Sequence, residues 1–353
     1  MADAFILGAG FSKAIAATMP LTFELGTRSV DQLKSVHAAR ISPGEHSTKC
    51  DGLSCDGNSP IGVFYSGTLD FEEWLTTLAE PQPYLLMPEN ARREALFSEL
   101  TGSIAWVIEQ SQARTVEGKD PPPWLARLVT EWHRRRSFVV TFNYDTLIEA
   151  TVDCLQIAIT GDPHPMTHKT LGPSVIQNWT PMWDGVRLHA AESFRYSKLH
   201  GSTHWCWDSM TKAADSIVQI GLRHEWKQRS QSFDDAEQEH RAPGKVPMIV
   251  PPTTGKSTYF NNPVIRYLWH DAFSGLAKAR RIFVFGYSLP PGDTLVRSML
   301  AELLPGKELW VINPNSDVRD RFATLKPAAL VERFVANDMA PDDFVEAYSG
   351  LDQ

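Results

Sequence analysis

Apolar positions along this chain follow two rhythms. Short unbroken runs, Ala4–Leu7, residues 137–142, "RIFVF" and "LWVI", each halt at a small or polar residue. That is the pattern of strands buried on both faces. Other stretches repeat at helical spacing. Phe71, Trp74, Leu75 and Leu78 fall at i, i+3, i+4 and i+7, with Asp70 and Glu73 placed as a capping box and Pro81 closing the segment. A second helix is predicted over 88–113, with Leu96, Leu100, Ile104 and Ile108 on one face. A third starts from Pro121-Pro122-Pro123 and carries Trp124, Leu125, Leu128, Val129 and Trp132. Three amphipathic helices in succession, with no strand between them, look like a helical insertion.

The rest of the pattern is α/β. "FSKAIAATM" reads as a helix start after the first strand, stopped near Pro20. Residues 35–68 lose periodicity and read as a long loop, 155–195 as irregular, and 223–245 as a solvated excursion. "SFVVTFNYDTLIEA" is a strand and then a helix from about 145, and "YSKLHGSTHW" a strand running into a turn at His200-Gly201. The last five segments, from "VPMIVPPTTGK" to "KELWVINPN", alternate β-α-β-α-β, which implies a parallel sheet with helices on both faces. The expected architecture is a Rossmann-like, doubly wound α/β sheet. Its domain comprises residues 1–34 and 137–345, interrupted by a loop and helical insertion over 35–136.

Composition narrows the function classes. The 353 residues are 42% hydrophobic with a formal net charge of -8, ordinary for a soluble chain and unsuited to coating nucleic acid. Arg134-Arg135-Arg136 reads as a solvated helix end. No secretory signal is visible, nor any run near the roughly 18 apolar residues that span a bilayer. Cys50, Cys55, Cys154 and Cys206 form no CxxC pair, so reduced thiols and a cytoplasmic location without membrane contact are expected.

Five short motifs carry chemistry. Gly8-Ala9-Gly10-Phe11-Ser12 lies between strand and helix, where two glycines let backbone N–H groups approach a pyrophosphate; a plain tight turn is the bland alternative. Lys13 stands where a dehydrogenase fingerprint wants its third glycine, so hydride transfer fits poorly. In Thr141-Phe142-Asn143-Tyr144-Asp145, Asn143 ends a strand with an amide able to donate to and accept from ribose or water, while Asp145 reads as a site carboxylate or a helix cap. His200 before Gly201 is a possible general base, or a structural histidine. Gly286-Tyr287-Ser288, with Asp293 after it, and Asn313-Pro314-Asn315 complete the set. "TTGKST" resembles half a P-loop, but Val250-Pro251-Pro252 precede it and deny the backbone the nest that phosphate needs.

In order, "GAGFS", "TFNYD", "LHG", "GYS" and "INPN" resemble the motif series of the sirtuin-like superfamily. "IVPP…K…LW…FGYSLPPGD" is most similar to its bacterial branch in anti-phage defence systems. The resemblance implies a sheet that binds NAD as substrate and breaks its nicotinamide–ribose bond, with no metal. It implies that Gly8, Ala9, Gly10 and Ser12, within the motif that includes Phe11, cradle the diphosphate. Asn143 and Asp145 would organise the nicotinamide ribose and its water, and His200 would be the acid/base residue. Gly286 and Ser288 would hold the diphosphate-ribose portion and Asn313 the adenosine ribose.

The chain departs from sirtuin deacetylases in two ways. It has no four-cysteine zinc spacing, and Phe142 replaces the Gln that precedes Asn in their second motif. Both favour water over acetyl-lysine as acceptor, and so an NAD glycohydrolase yielding nicotinamide and ADP-ribose. The implied setting is NAD depletion in infected cells, restrained by homo-oligomerisation or by a partner such as a hexameric ATPase of the DNA-translocase type. The competing readings are an ADP-ribosyltransferase or deacylase, and a module that senses NAD or ADP-ribose without cleaving it.

Overall fold

The computed structural model describes residues 3–40, 59–157, 168–170, 182–183, 186–187, 193–207, 217–220, 224–227, 244–325 and 333–351. Its strands are β1 (Ala4–Leu7), β2 (Phe138–Thr141), β3 (His168–Thr170), β4 (Met182–Trp183), β5 (Val186–Arg187), β6 (Arg195–Lys198), β7 (Gly201–Trp207), β8 (Val218–Ile220), β9 (Val246–Ile249), β10 (Arg281–Phe285), β11 (Glu308–Ile312) and β12 (Arg333–Asn337). Six of them form one parallel sheet in the order β12-β11-β10-β1-β2-β6. The chain winds outward from β1 in both directions, which places the topological switch between β1 and β10. The fold is the doubly wound α/β class that the apolar runs predict.

Strand residues alternate between two cores, as the period of two requires. Phe5, Leu7, Val139, Phe283, Phe285 and Trp310 enter one core, and Ala4, Ile6, Val140, Ile282, Val284 and Val311 the other. The first core is covered by α4 (Phe71–Ala79), α5 (Met87–Val116) and α6 (Pro123–Arg135). Their buried Trp74, Leu75, Leu100, Ile104, Leu125 and Trp132 share it with the strands. The helices of residues 35–136 therefore form one layer of the sheet's own core. They are joined there by α1 (Ala9–Ile15), α2 (Thr22–Arg40), α3 (Pro60–Tyr65) and α7 (Leu147–Cys154). Helices Pro263–Lys278, Thr294–Leu303 and Ser316–Leu325 cover the opposite face.

The capping box forms as its spacing predicts: Glu73 N–H donates to Asp70 Oδ1 at 2.8 Å, and Asp70 N–H to Glu73 Oε2 at 3.2 Å. Two expectations are corrected. The segment 35–68, read as a long loop, contains the end of α2, which runs on to Arg40, and the helix Pro60–Tyr65, capped by Ser59. β9 does not join the parallel sheet; it pairs antiparallel with β7 in a second sheet, β3-β8-β7-β9. Its alternation with the following helix is common to both arrangements. A sixth parallel strand, β12, and the helix Pro341–Gly350 complete the carboxyl-terminal side. Cys50 and Cys55 and most of 155–195 and 223–245 lie outside the described residues, while Cys154 and Cys206 take part in no disulfide among the described residues.

Candidate active site at the strand ends

The parallel strands end in register. Leu7 pairs with Phe285 and with Thr141, Thr141 with Lys198, and Phe285 with Ile312. The residues that follow therefore stand in a row: Asn313 after β11, Gly286 after β10, Gly8 after β1, Asn143 beyond β2 and His200 beyond β6. Four strand intervals separate the two ends of that row, about 4 × 4.8 or roughly 19 Å. A cavity of about 710 Å³ runs beneath it, lined by Gly8, Ala9, Gly10, Ser12, Asn143, Asp145, His200, Gly286, Ser288 and Asn313 among others. Of the residues assigned a site role or placed in the first motif, Phe11 is the one that does not line it. Its side chain turns into the core, edge-on to Trp124 and Phe285 at 5.6 and 5.1 Å, because a large apolar side chain one residue past the turn falls on the buried face of α1.

The glycines serve a contact within the protein. A Cβ on Gly8 would lie 2.5 Å from Tyr287 Cα, and one on Gly10 would lie 2.8 Å from Gly286 Cα. Gly286 itself adopts φ +65°, and its Cβ would meet Phe11 N at 2.2 Å. The turns after β1 and β10 thus pack backbone to backbone at the switch point, joined by Gly10 N–H donating to Gly286 O at 2.8 Å.

Asn143, Ser12 and Asp145 form one directed chain. Asn143 Nδ2 donates to Gly8 O at 2.9 Å and to Ser12 Oγ at 2.8 Å. Gly8 O can only accept, so the amide orientation is fixed and Oδ1 is turned away from this chain. Ser12 Oγ passes its own proton to Asp145 Oδ2 at 2.6 Å. Asp145 Oδ1 accepts from Leu147 N–H at 3.2 Å, and Thr146 between them is the N-cap residue of α7. The loop is held from behind: Lys198 Nζ donates to Asp145 O and to Glu149 Oε1, and Gln112 of α5 accepts from Thr146 N–H at 2.8 Å. Ser12 Oγ thus links the Asn143 amide to the Asp145 carboxylate.

His200 sits in the turn between β6 and β7, buried, with Nε2 unpaired among the described residues. Burial, reinforced by the nearby Lys256 ammonium, lowers its pKa to about 3, so it is a neutral imidazole at physiological pH. Its ring lies 4.9 Å from that of Phe142, which stacks on Tyr287 at 4.6 Å. Phe142, the departure from the deacetylase motif, is thus the aromatic wall that holds His200. Gly201 behind it needs its φ of +78°, and a Cβ there would strike Met248 O at 2.2 Å.

A charged hub lines the same cavity, and motif reading missed most of it. Lys256 Nζ pairs with Asp293 Oδ1, and Tyr287 donates to Asp293 Oδ2 at 2.6 Å. Burial pushes the Asp293 carboxyl up, but Lys256, His200 and the Tyr287 bond outweigh it and hold the pKa below its ordinary value. Glu72 of α4 completes the hub. Burial raises its carboxyl to about 7, with Asp293 and Asp70 adding to the rise and Lys256 opposing it. At the far end Asn313 Oδ1 accepts from Asn315 N–H at 3.0 Å, and Ser288 lies exposed at the rim. Among the described residues no three His, Cys, Asp or Glu side chains gather as a metal site, and no helix is long and apolar enough to cross a membrane.

These features define an open α/β protein with a cavity at the carboxyl ends of its strands, lined by both polar and charged side chains. No protein-family model matches the chain, and no curated protein does. Among solved structures it is similar to a mutated Sir2 homologue in complex with 2′-O-acetyl ADP ribose, at 14% identity, covering 98% of this chain and 89% of that one with a TM-score of 0.34. At that overlap the likeness carries no functional inference; the fold class rests on the sheet itself.

Proposed function

We propose that the chain is an NAD glycohydrolase that splits the nicotinamide–ribose bond with water. One observation carries this reading: five adjacent strand ends, in register over roughly 19 Å, line a single cavity with Asn143 and His200 at one end and Asn313 at the other. That shape suits an elongated ligand with two ribose units. Its volume of about 710 Å³ lies within the range of small-molecule sites. In the reaction, departure of nicotinamide leaves an oxocarbenium-like ribose, so the site must orient the sugar and present a water to it. Asn143 Oδ1 and the unpaired Nε2 of His200 are acceptors suited to a ribose hydroxyl and that water. Phe142 and Tyr287 supply an apolar wall beside them. The roles of Gly8, Ala9, Gly10, Gly286, Ser288 and Asn313 along the rest of the dinucleotide, and the defence setting, self-association and ATPase partner that the resemblance implies, belong to the same proposal.

The test is nicotinamide release from NAD by the purified chain without an acceptor, alongside Asn143→Ala and His200→Ala. Release by wild type, reduced about a hundredfold or more in both variants while their unfolding stays cooperative, is the expected result. Release that both variants retain would place the chemistry elsewhere. A second reading, a module that binds NAD or ADP-ribose intact, is favoured by the low basicity of His200. Tight binding of NAD that stays uncleaved for hours would establish it instead.

A further inference from the structure

On the NAD-hydrolysing reading above, we propose that Glu72, carried into the cavity by α4, is the acceptor for the proton of the attacking water. Four carboxylates line the cavity: Glu72, Asp145, Asp293 and Asp338. Asp145 is committed to Ser12 Oγ and Leu147 N–H. Asp293 is committed to Lys256 and Tyr287. Asp338 is exposed beyond β12, at the Asn313 end of the row. Glu72 alone is shielded and accepts no hydrogen bond from the described residues. His200 is a weak base where it lies, since a proton placed on it would sit in a desolvated pocket beside the Lys256 ammonium. The proton of the nucleophile needs another destination.

Glu72 is held firmly enough to serve. The capping box fixes the first turn of α4, and Phe71, Trp74 and Leu75 anchor that helix in the core. Thr254 N–H and Oγ1 bond Thr76 Oγ1 at 2.9 and 3.1 Å, tying α4 to the loop that carries Lys256. A Cβ on Gly292 would lie 3.6 Å from Glu72 Oε2, which puts the carboxyl beside the turn leading to Asp293. The groups that act on it are Lys256, which favours its charge, Asp293 and Asp70, which oppose it, and the Tyr144 and Tyr287 hydroxyls, whose own ionisation its charge disfavours. Burial leaves a carboxyl that exchanges its proton near neutral pH, where a general base is most effective.

The step balances without a further reactant. The water oxygen bonds to the ribose anomeric carbon. The carbon–nitrogen bond breaks with its electron pair on the departing, now neutral, nicotinamide. The water proton passes to the Glu72 carboxylate and is later released to solvent. The helical layer therefore supplies a reacting group, not only a cover for the sheet.

Nicotinamide release by wild type, Glu72→Gln and Glu72→Asp from about pH 5 to 9 tests this, with thermal unfolding as the check on folding. Wild-type kcat is expected to climb with an apparent pKa near 7. Glu72→Gln is expected to lose about a hundredfold in kcat, with KM within about twofold and no rising limb, and Glu72→Asp to keep part of that limb. A folded Glu72→Gln whose kcat stays within about threefold of wild type, or keeps the limb, overturns the assignment and leaves the NAD reading standing. No release by wild type at any pH overturns both.

Discussion

Replacing Lys256 with methionine would isolate the energetics of the cavity's charged hub. Lys256 and Asp293 are 8% and 6% exposed, so solvent does little to screen them. An exposed pair would contribute at most about 1 kcal/mol. Here the loss of the ammonium strands a carboxylate whose one remaining bond among the described residues comes from Tyr287. Breaking a buried pair in this way costs about 3–5 kcal/mol at neutral pH. At about 2 °C per kcal/mol for a chain of this size, the unfolding midpoint should fall by about 6–10 °C. Adding Asp293→Asn removes the stranded charge and leaves an amide oxygen for the Tyr287 hydroxyl, so most of the loss should return. The pH dependence has a definite sign. In wild type the Asp293 carboxyl is held below its ordinary value, so the pair's contribution is present above the unfolded carboxylate range and is lost as pH falls through the lower folded value. Without Lys256 the burial effect dominates, the carboxyl rises, and protonation shrinks the variant's deficit between about pH 7 and 5. Calorimetry at both pH values measures this. A deficit under about 1 kcal/mol at pH 7, or a double variant no more stable than the single one, would refute the reasoning. The same substitution should move the His200 imidazole up from about 3, read by NMR titration, because Lys256 contributes to its depression.

Gly286→Ala forces a Cβ to 2.2 Å from Phe11 N at φ +65° and should destabilise by about 2–4 kcal/mol, measured by urea unfolding. A cost below about 1 kcal/mol would mean that the two turns separate freely. Ser12→Ala leaves Asp145 Oδ2 and one Asn143 proton without their partner and should cost about 1–3 kcal/mol. It should also weaken NAD binding, through a loosened Asn143, measured by calorimetric titration; unchanged binding would make that chain purely structural. The Glu72 carboxyl is raised from 4.5 to about 7, so its favourable contribution is full below 4.5 and is lost as pH rises through about 7. Glu72→Gln should therefore unfold at a higher temperature than wild type at pH 8, by about 1–2 kcal/mol after discounting for its contact with water, and the gain should vanish near pH 5.

Much of the frame was legible because strand burial and strand termination are local signals. Ala4–Leu7 before glycine and Phe138–Thr141 before Asn143 read directly as strands whose ends face a crevice. What the residues do to one another was not local. Ser12 reads as a phosphate ligand in its motif, yet its hydroxyl meets a carboxylate 133 residues away. Glu72 and Glu73 are adjacent and chemically alike. One closes the capping box and the other faces the cavity, a difference set by the 100° turn between successive helical positions. Lys256 sits in a segment whose only visible motif is a failed P-loop, and it takes its meaning from Asp293, which reads locally as a helix start. β9 alternates with the following helix as a parallel strand would, and its antiparallel partner β7 is chosen by a turn at Gly201 that sequence spacing does not orient.

The two halves of the cavity are built on opposite principles, and the contrast bears on where chemistry takes place. Around Asn143, Ser12 and Asp145 almost every polar atom has an internal partner, which gives a rigid frame for a sugar with little freedom to exchange protons. Around Lys256 the carboxylates outnumber the cation, and Glu72 remains without a hydrogen bond from the described residues in a setting that opposes its charge. A glutamine of the same shape would remove that opposition above neutral pH. Selection for stability alone would not keep the carboxyl there, since burying a charge without a partner costs free energy. Such an arrangement is expected where a titrating group is needed by the reaction. A Glu72→Gln variant that is both more stable above neutral pH and slower in nicotinamide release would show stability and activity opposed at one side chain. A merely structural residue would lose both together.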